Sequence, residues 1–582
     1  MITATVVPDV SGLDKQFDYL VPAALADRVA VGSMVRVPLH GRRVAGWVVR
    51  VGDADPQVAV ERLLPIARWS GVGPSEEVIE LARWAAHRWA AGRLRPLLAS
   101  ASPHTMVPGL ARQVGRSSIA PPRPIDSAVA AGVTRLVGDG RGGGVLRVGP
   151  GDDLMAGVLA AAHHGPVLVV HPSAMAVRVM GQRLRAMGVR VAVMPDEWRR
   201  AAEGSVEVVL GGRTAVWATM PSIASIVVLD EHDESLQEER TPTWHARDVA
   251  IERARRLGVP CVLISPCPTV TALHWAGRRW MRPADDAERG GWPEVQVVDR
   301  SADEPWKRSL VSTPLIEVIR DRSLRVVCVH NVTGRARLLA CRACRAILRC
   351  EQCAAAVAQN DDGGLTCHRC GTERPAVCQA CGSTALALVR PGVTRLRTEL
   401  EKAAARPVVA VTGRDEVVPA GADVFIGTEA VLHRVGDADV VAFLDFDAEL
   451  LAPRYRASEQ AMSLLARAAR VVSASPQHGR VLVQTTLPDH DVVQAALLGD
   501  PGIVARAEAA RRRELALPPF GALARVSGDG AGPFVAAIPQ HARDGDGFLV
   551  RADTWDALAD LLARTPEPAG ARLRIEVDPP RR

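Results

Sequence analysis

Lysine is nearly absent from this sequence. Only Lys15, Lys307 and Lys402 occur in 582 residues, and none lies between Gln16 and Trp306. No amine in that half can reach the β- and γ-phosphates of a nucleotide, which is the task of the lysine in a glycine-rich phosphate loop. The other basic residues are all arginine, a bias that genomic base composition can produce and that carries no functional weight alone. Also missing is any apolar run near the roughly 20 residues that span a bilayer. The first twenty residues carry Asp9, Asp14, Lys15 and Asp18, which does not suit a secretory leader. The expectation is a cytoplasmic protein with no membrane partner.

What is present is ordinary for a soluble chain: 48% hydrophobic and 23% charged residues. The length suggests about three to five domains. A net charge of +6 is a mild lean toward anionic partners.

The informative stretch is 341–381, which holds eight of the eleven cysteines as four Cys-x-x-Cys pairs: Cys341/Cys344, Cys350/Cys353, Cys367/Cys370 and Cys378/Cys381. Two thiolates two residues apart can turn onto one tetrahedral metal through a tight knuckle, and two knuckles complete a four-thiolate site. Gly371 and Gly382, each just after a pair, suit the positive-φ turn such knuckles often need. Four pairs imply two zinc ions. Disulfides fit poorly without a secretory segment. Gly363-Gly364 in the gap from Cys353 to Cys367 favours a hairpin and a nested pairing; a sequential pairing stays open on spacing alone. Cys261, Cys267 and Cys328 read as core thiols.

Along the chain, Ile2–Val7, Met34–Pro38 and Ala45–Val51 read as strands and Val78–Trp89 as a helix, a β-rich domain over 1–104. Residues 105–145 turn to Pro, Gly and Ser, as a linker does. From 146 strands and helices alternate. Val167–Val170, Val191–Met194, Val206–Leu210, Ile226–Leu229 and Val262–Ile264 alternate with helical stretches such as Ala174–Met187 and His245–Leu257, which predicts a parallel α/β lobe over 146–305. A second α/β lobe covers 306–340 and 383–522, with Val326–Val329, Val408–Val411, Val424–Ile426, Val440–Leu444 and Val481–Gln484 as strands. The cysteine module, 341–382, is inserted in it. A small α+β domain closes the chain over 523–582.

These features resemble the primosomal replication-restart helicase family, PriA. The resemblance runs in order through LDKQFDYLVP at 13–22, GSMVRVPLHGRRVAGWV at 32–48, IVVLDEHDESLQEERTPTWHARDVA at 226–250, IGTEAVLHRVGDADVVAFLDFDAELLAPRYRASEQ at 426–460, RRRELALPPFGALARVSG at 511–528 and RIEVDPP at 574–580. It implies a multidomain α/β protein with two RecA-like helicase lobes, a two-zinc insertion and an N-terminal domain that binds the 3′ end of DNA. It also implies the nested pairing: Cys341, Cys344, Cys378 and Cys381 on one zinc, Cys350, Cys353, Cys367 and Cys370 on the other. Phe17 and Asp18 match residues that line the family's 3′-end pocket, the ring to stack a base and the carboxylate to accept from a 3′-hydroxyl.

The departures bear on catalysis. VGPGDDLMAG at 148–157 stands at the phosphate loop, with Gly149 and Gly151 retained but Asp152 in the lysine position and Asp153 in the hydroxyl position. Two carboxylates repel a triphosphate, and Pro150 removes a backbone donor. The family's Asp-Glu-Glu-His becomes Leu229-Asp230-Glu231-His232, with leucine at the metal-side position. Ser265-Pro266-Cys267-Pro268 replaces a Ser-Ala-Thr coupling motif, and Arg467 and Arg470 stand at the wrong register for the γ-phosphate. Joint loss of these parts should abolish turnover. The expected function is therefore recognition of stalled or branched forks and a platform for reloading the replicative helicase, without ATPase or helicase activity. Forked and single-stranded DNA and other primosome proteins are the expected partners. The rivals are an active ATP-dependent 3′–5′ helicase and a zinc-stabilised protein-docking scaffold without DNA binding. Arginines of the cysteine module (Arg335, Arg337, Arg342, Arg345, Arg349, Arg369, Arg374), of the N-terminal strands (Arg36, Arg42, Arg43) and of the run Arg511–Arg513 are candidate phosphate contacts. A winged helix between the first domain and the first lobe is expected to be reduced or absent.

Overall fold

The computed structural model describes the chain except residues 1, 14, 54–62, 112–124, 140–141, 304–308, 332–338, 345, 353–354, 361–362, 368–369, 389–392, 412–420, 475–478, 569 and 580–582. Its first unit is a five-stranded antiparallel sheet in the order Phe17–Leu20, Ile2–Pro8, Arg42–Asp53, Ser33–Leu39, Arg68–Val72. The two edges meet: Leu20 bridges Pro65 in parallel, and Ile66 N–H donates to the Leu20 carbonyl at 3.0 Å. The sheet is thus rolled into a barrel around Ala4, Val6, Tyr19, Val35, Val37 and Val48.

Helix Glu76–Arg88 follows, started by Ser75, whose hydroxyl accepts from Val78 N–H, and by Glu76 and Glu77 in the first turn, where the helix dipole favours acids. Its apolar face joins the core of the first lobe. Fully buried Arg253 bonds both Glu77 oxygens, at 3.0 and 2.7 Å, and the carbonyls of Val216 and Ala218. Glu77→Ala would strand that charge and should cost about 3 kcal/mol, read as a lower denaturation midpoint.

The first lobe is a seven-stranded parallel sheet, ordered Trp280–Met281, Gly143–Arg147, Cys261–Ser265, Ser225–Leu229, Val167–Val170, Val208–Gly211, Val191–Val193. Its central strands are rich in Val, Leu and Ile because helices cover both faces. Residues 105–145 are not all linker. Helix Ala128–Gly138, capped by Ser127, buries Val129, Val133 and Leu136 against this sheet, and strand Gly143–Arg147 pairs with Cys261–Ser265. The Gly and Pro around them mark the connections, while the apolar spacing inside Ala128–Gly138 is that of a helix.

The second sheet, also parallel, runs Glu294–Asp299, Arg480–Thr485, Val440–Phe443, Val326–Val329, Val424–Gly427, Val409–Val411. A first lobe ending at 305 would contain Glu294–Asp299, yet this strand pairs along its whole length with Arg480–Thr485 of the second sheet. A half-exposed edge strand lacks the apolar run that betrays a central one. The chain ends in a four-stranded antiparallel sheet, His541–Asp544, Gly547–Ala552, Ala522–Ser527, Arg574–Val577, with helix Trp555–Arg564 packed on it. One continuous apolar core joins the helix after the barrel, the first lobe and this last sheet. No described helix is long and apolar enough to cross a membrane.

Candidate metal centre, nucleotide cleft and DNA-binding surface

The cysteines converge in two groups that could hold metal ions. Cys341, Cys344, Cys378 and Cys381 bring their sulfurs within 4.8 Å of one another, as do Cys350, Cys367 and Cys370. Cys353 lies outside the described residues. Sulfur–sulfur separations are 3.5 Å for Cys341–Cys381 and 3.4 Å for Cys344–Cys378 and Cys350–Cys370. Thiolates about 2.3 Å from a tetrahedral zinc stand roughly 3.8 Å apart, so the donor sets are consistent with zinc. The knuckles are built as their glycines imply: Gly371 (φ 79°) and Gly382 (φ 73°) return their amides to the carbonyls of Cys367 and Cys378. The partners come from opposite ends of the module because Leu339–Cys341 pairs with Leu386–Leu388. Cys261 and Cys328, by contrast, are buried thiols pushed up to about 12 by burial.

At the would-be nucleotide cleft the protein's own groups take the places of a ligand. The loop after Gly143–Arg147 is held by Asp152, whose Oδ2 accepts the Gly149 amide at 2.7 Å, an amide of the kind that cradles phosphate. Asp153 caps helix Leu154–His163, accepting from Met155 N–H, and pairs with Arg183 at 2.7 Å. Across the cleft, helix Ala457–Ser473 of the second lobe sends two arginines in. Arg470 grips both oxygens of Asp230 and donates to the Pro150 carbonyl at 2.9 Å; Arg467 pairs with Asp233 and His433. Ser473 closes over Gly151, where an added Cβ would sit 2.9 Å from the serine Cβ. The wrong-register reading of Arg467 and Arg470 is therefore corrected: both reach the cleft, and carboxylates occupy them. The register at the strand end changes as well. Leu229 is wholly buried in the sheet, while Asp230 (φ 49°) is the first carboxylate beyond the strand.

Charge is strongly biased here. Burial raises the Asp230 pKa, but the Arg470 guanidinium more than offsets this and holds it well below the carboxylate range. His171 lies 3.7 Å from Asp230, and burial keeps it lowered. Glu231 accepts from Thr269 N–H (2.6 Å) and Oγ1 (3.0 Å), with Arg247 at 3.4 Å, and burial raises its pKa. His232 meets Ser265 Oγ at 2.8 Å. The coupling segment thus touches the strand end through Ser265 and Thr269 despite its altered sequence. Glu459, on the same helix as Arg470, accepts Val270 N–H at 2.6 Å and pairs with Arg512.

These buried histidines make stability acid-sensitive. Burial lowers His232 to about 4 and His245 to about 3, against an ordinary 6.5. The unfolded chain therefore binds more protons between pH 6.5 and those values, and stability falls as pH drops through that window. At pH 5 each should cost about 2 kcal/mol relative to pH 7.5. His245 caps helix Ala246–Leu257 by accepting Arg247 N–H through Nδ1. Replacing it with asparagine keeps an acceptor and should flatten part of the Tm-against-pH slope.

In the barrel, Asp18 stands opposite Thr5, accepts its hydroxyl at 2.5 Å and lies 3.9 Å from Arg50; Phe17 packs half-buried against the barrel core. Several arginine candidates are structural. Arg512 is buried between Glu459 and Glu508, Arg511 pairs with Glu508, and Arg374 donates to the Val377 carbonyl at 2.7 Å. Arg342 is exposed, while Arg335, Arg337, Arg345 and Arg369 fall outside the described residues. A cavity of about 670 Å³ between the lobes and the last sheet is lined by Asp233, Glu234, Glu238, Glu239, Glu429 and Glu449 among others, a lining that disfavours a nucleic-acid backbone.

Residues 5–100, the barrel and the helix after it, match the model of the PriA 3′ DNA-binding domain. The probable replication restart protein PriA of Mycobacterium tuberculosis is 29% identical over 613 residues, covering 96% of this chain and 91% of that one. The chain is thus similar to replication restart proteins over nearly its whole length. PriA of Treponema pallidum is 26% identical and covers 88% and 84%. The replication restart protein PriA of Bacillus subtilis is 29% identical over 357 residues, so the match spans 57% of this chain and under half, 44%, of that relative. Among solved structures, Saccharomyces cerevisiae Dbp5 bound to RNA and ADP BeF3 covers 68% of this chain at 10% identity and a TM-score of 0.36, a likeness too distant to argue from. Sequence reasoning missed Arg470–Asp230, Arg467–Asp233 and Glu459–Val270, because pairs 189 to 240 positions apart leave no local pattern.

Proposed function

We propose that this chain is a replication-restart PriA that binds forked DNA and serves as a platform for reloading the replicative helicase, without hydrolysing ATP. The observation that carries the reading is the occupied cleft. Arg470 and Arg467 of the second lobe are neutralised by Asp230 and Asp233 of the first, and Asp152 holds the amide of Gly149. A triphosphate entering there would meet two loop carboxylates, no lysine, and arginines already satisfied. Since each of these parts stabilises charge on the phosphoryl group, their joint diversion removes the basis for turnover.

DNA binding needs none of them. In this reading Asp18 and Phe17 receive the 3′ end of a strand, and two zinc ions, one on Cys341, Cys344, Cys378 and Cys381 and one on Cys350, Cys353, Cys367 and Cys370, hold the module that meets protein partners and unpaired DNA. Zinc there supplies structure, tying both ends of residues 341–382 together. The protein would work in the cytoplasm with primosome and helicase-loading proteins.

The test measures ATP hydrolysis and binding of a forked DNA in one sample of zinc-loaded protein. Fork binding in preference to plain duplex with no DNA-stimulated hydrolysis is expected. Stimulated hydrolysis would restore the active-helicase reading, and no preference for the fork would end the fork-recognition one.

A further inference from the structure

We propose that Arg36, Arg43 and Arg68 form a ladder that grips the phosphate backbone of the bound DNA strand a few nucleotides from its 3′ end. The proposal rests on the reading that this domain receives a 3′ end near Asp18. In strand Ser33–Leu39, Val35 and Val37 turn into the barrel core and Arg36 turns out. Arg36 stands directly opposite Arg68 on one neighbouring strand and opposite Ala45 on the other; Arg43, opposite Pro38, is its diagonal neighbour. Like charges facing each other across strands repel and cost stability.

All three side chains are exposed, and none has a hydrogen bond or ion pair among the described residues. Other arginines of the domain are paired: Arg50 with Asp18, Arg83 with Glu80, Arg95 with Asp9. An uncompensated row of guanidiniums, each able to bond phosphate bidentately, calls for an external polyanion.

The barrel seam supplies the distance. Leu20 lies beside Pro65 with the segments parallel, so Asp18 aligns with residue 63 and Arg68 lies five residues further along. That is roughly 16 Å at about 3.3 Å per residue, or about five nucleotides of a strand whose charges rise ~3.4 Å each. The ladder would thus hold the strand while Asp18 holds its end.

The test compares the full-length zinc-loaded protein with its R36Q/R43Q/R68Q variant on duplexes ending in a 3′-hydroxyl or a 3′-phosphate, across a salt series. The variant should bind at least tenfold more weakly, with a plot of log K against log salt shallower by about two to three, the count of lost phosphate contacts. Its preference for the hydroxyl end should be unchanged and its Tm equal or higher, since repulsion is relieved. Unchanged affinity and slope would overturn the ladder, as would a fall in Tm accompanied by loss of end preference. Native protein that binds DNA without distinguishing the ends would remove the end-pocket reading alone, leaving the ladder to be judged by its own variant. Native protein that binds no DNA would overturn both.

Discussion

Chelating the metal from residues 341–382 is expected to unfold that module while both lobes stay folded. Its core is a small cluster in which four of nine buried members are cysteines, with Leu339, Leu348, Val357 and Leu365 as its main aliphatic members. About forty residues with so little apolar area do not fold unaided, so a bound metal would supply on the order of 10 kcal/mol or more. Zinc release and limited proteolysis report this together. Two equivalents per chain should appear as cleavage opens between Arg342 and Arg374. A module that stays protease-resistant after metal release would show that the ligands are not its frame. Ala356 donates its amide to the Leu451 carbonyl at 2.8 Å, so the second lobe should lose only a surface contact.

Arg470→Ala is expected to be strongly destabilising, by about 3 kcal/mol, less than for a fully buried pair because the Arg470 side chain is 36% exposed. It leaves Asp230, 4% exposed, without its counter-ion. The sign with pH follows from the carboxylate. In the native protein the folded Asp230 pKa is depressed, so its contribution is present above the ordinary 3.8 and is lost as pH falls through the folded value. Without Arg470, burial outweighs the remaining pull of His232 and His171 and raises it, so the variant should lose stability as pH rises above about 4. A second change, Asp230→Asn, removes the stranded charge and should recover much of the loss, a coupling that a double-mutant cycle measures. Additive losses would mean that the pair does not hold the lobes together. Under the proposed reading, placing lysine at 152 and threonine at 153 is expected to give no DNA-stimulated ATP hydrolysis, because Arg470 and Arg467 remain engaged by Asp230 and Asp233.

Local signals carried far in this chain. The β-branched runs at Val167–Val170, Val326–Val329 and Val424–Gly427 are strands because parallel sheets buried on both faces need continuous apolar residues, and that need is written in each segment. The Cys-x-x-Cys spacing likewise encodes its chemistry within four residues, and the glycines after Cys370 and Cys381 encode the knuckle turns. The missing lysine needed no structure at all. Other features depend on tertiary placement. Strand Glu294–Asp299 belongs to the second sheet only because Arg480–Thr485, far along the chain, offers a free edge. Arg470 and Arg467 became occupants of the cleft because helix Ala457–Ser473 lies across the end of Ser225–Leu229. Asp578, near the chain's end, bonds Tyr455 and Arg456 while its carbonyl accepts from Gln237, linking the last sheet to both lobes. Spacing rules reach a few residues; which distant charges meet is decided by how the lobes pack, and burial then sets the strength of each pair.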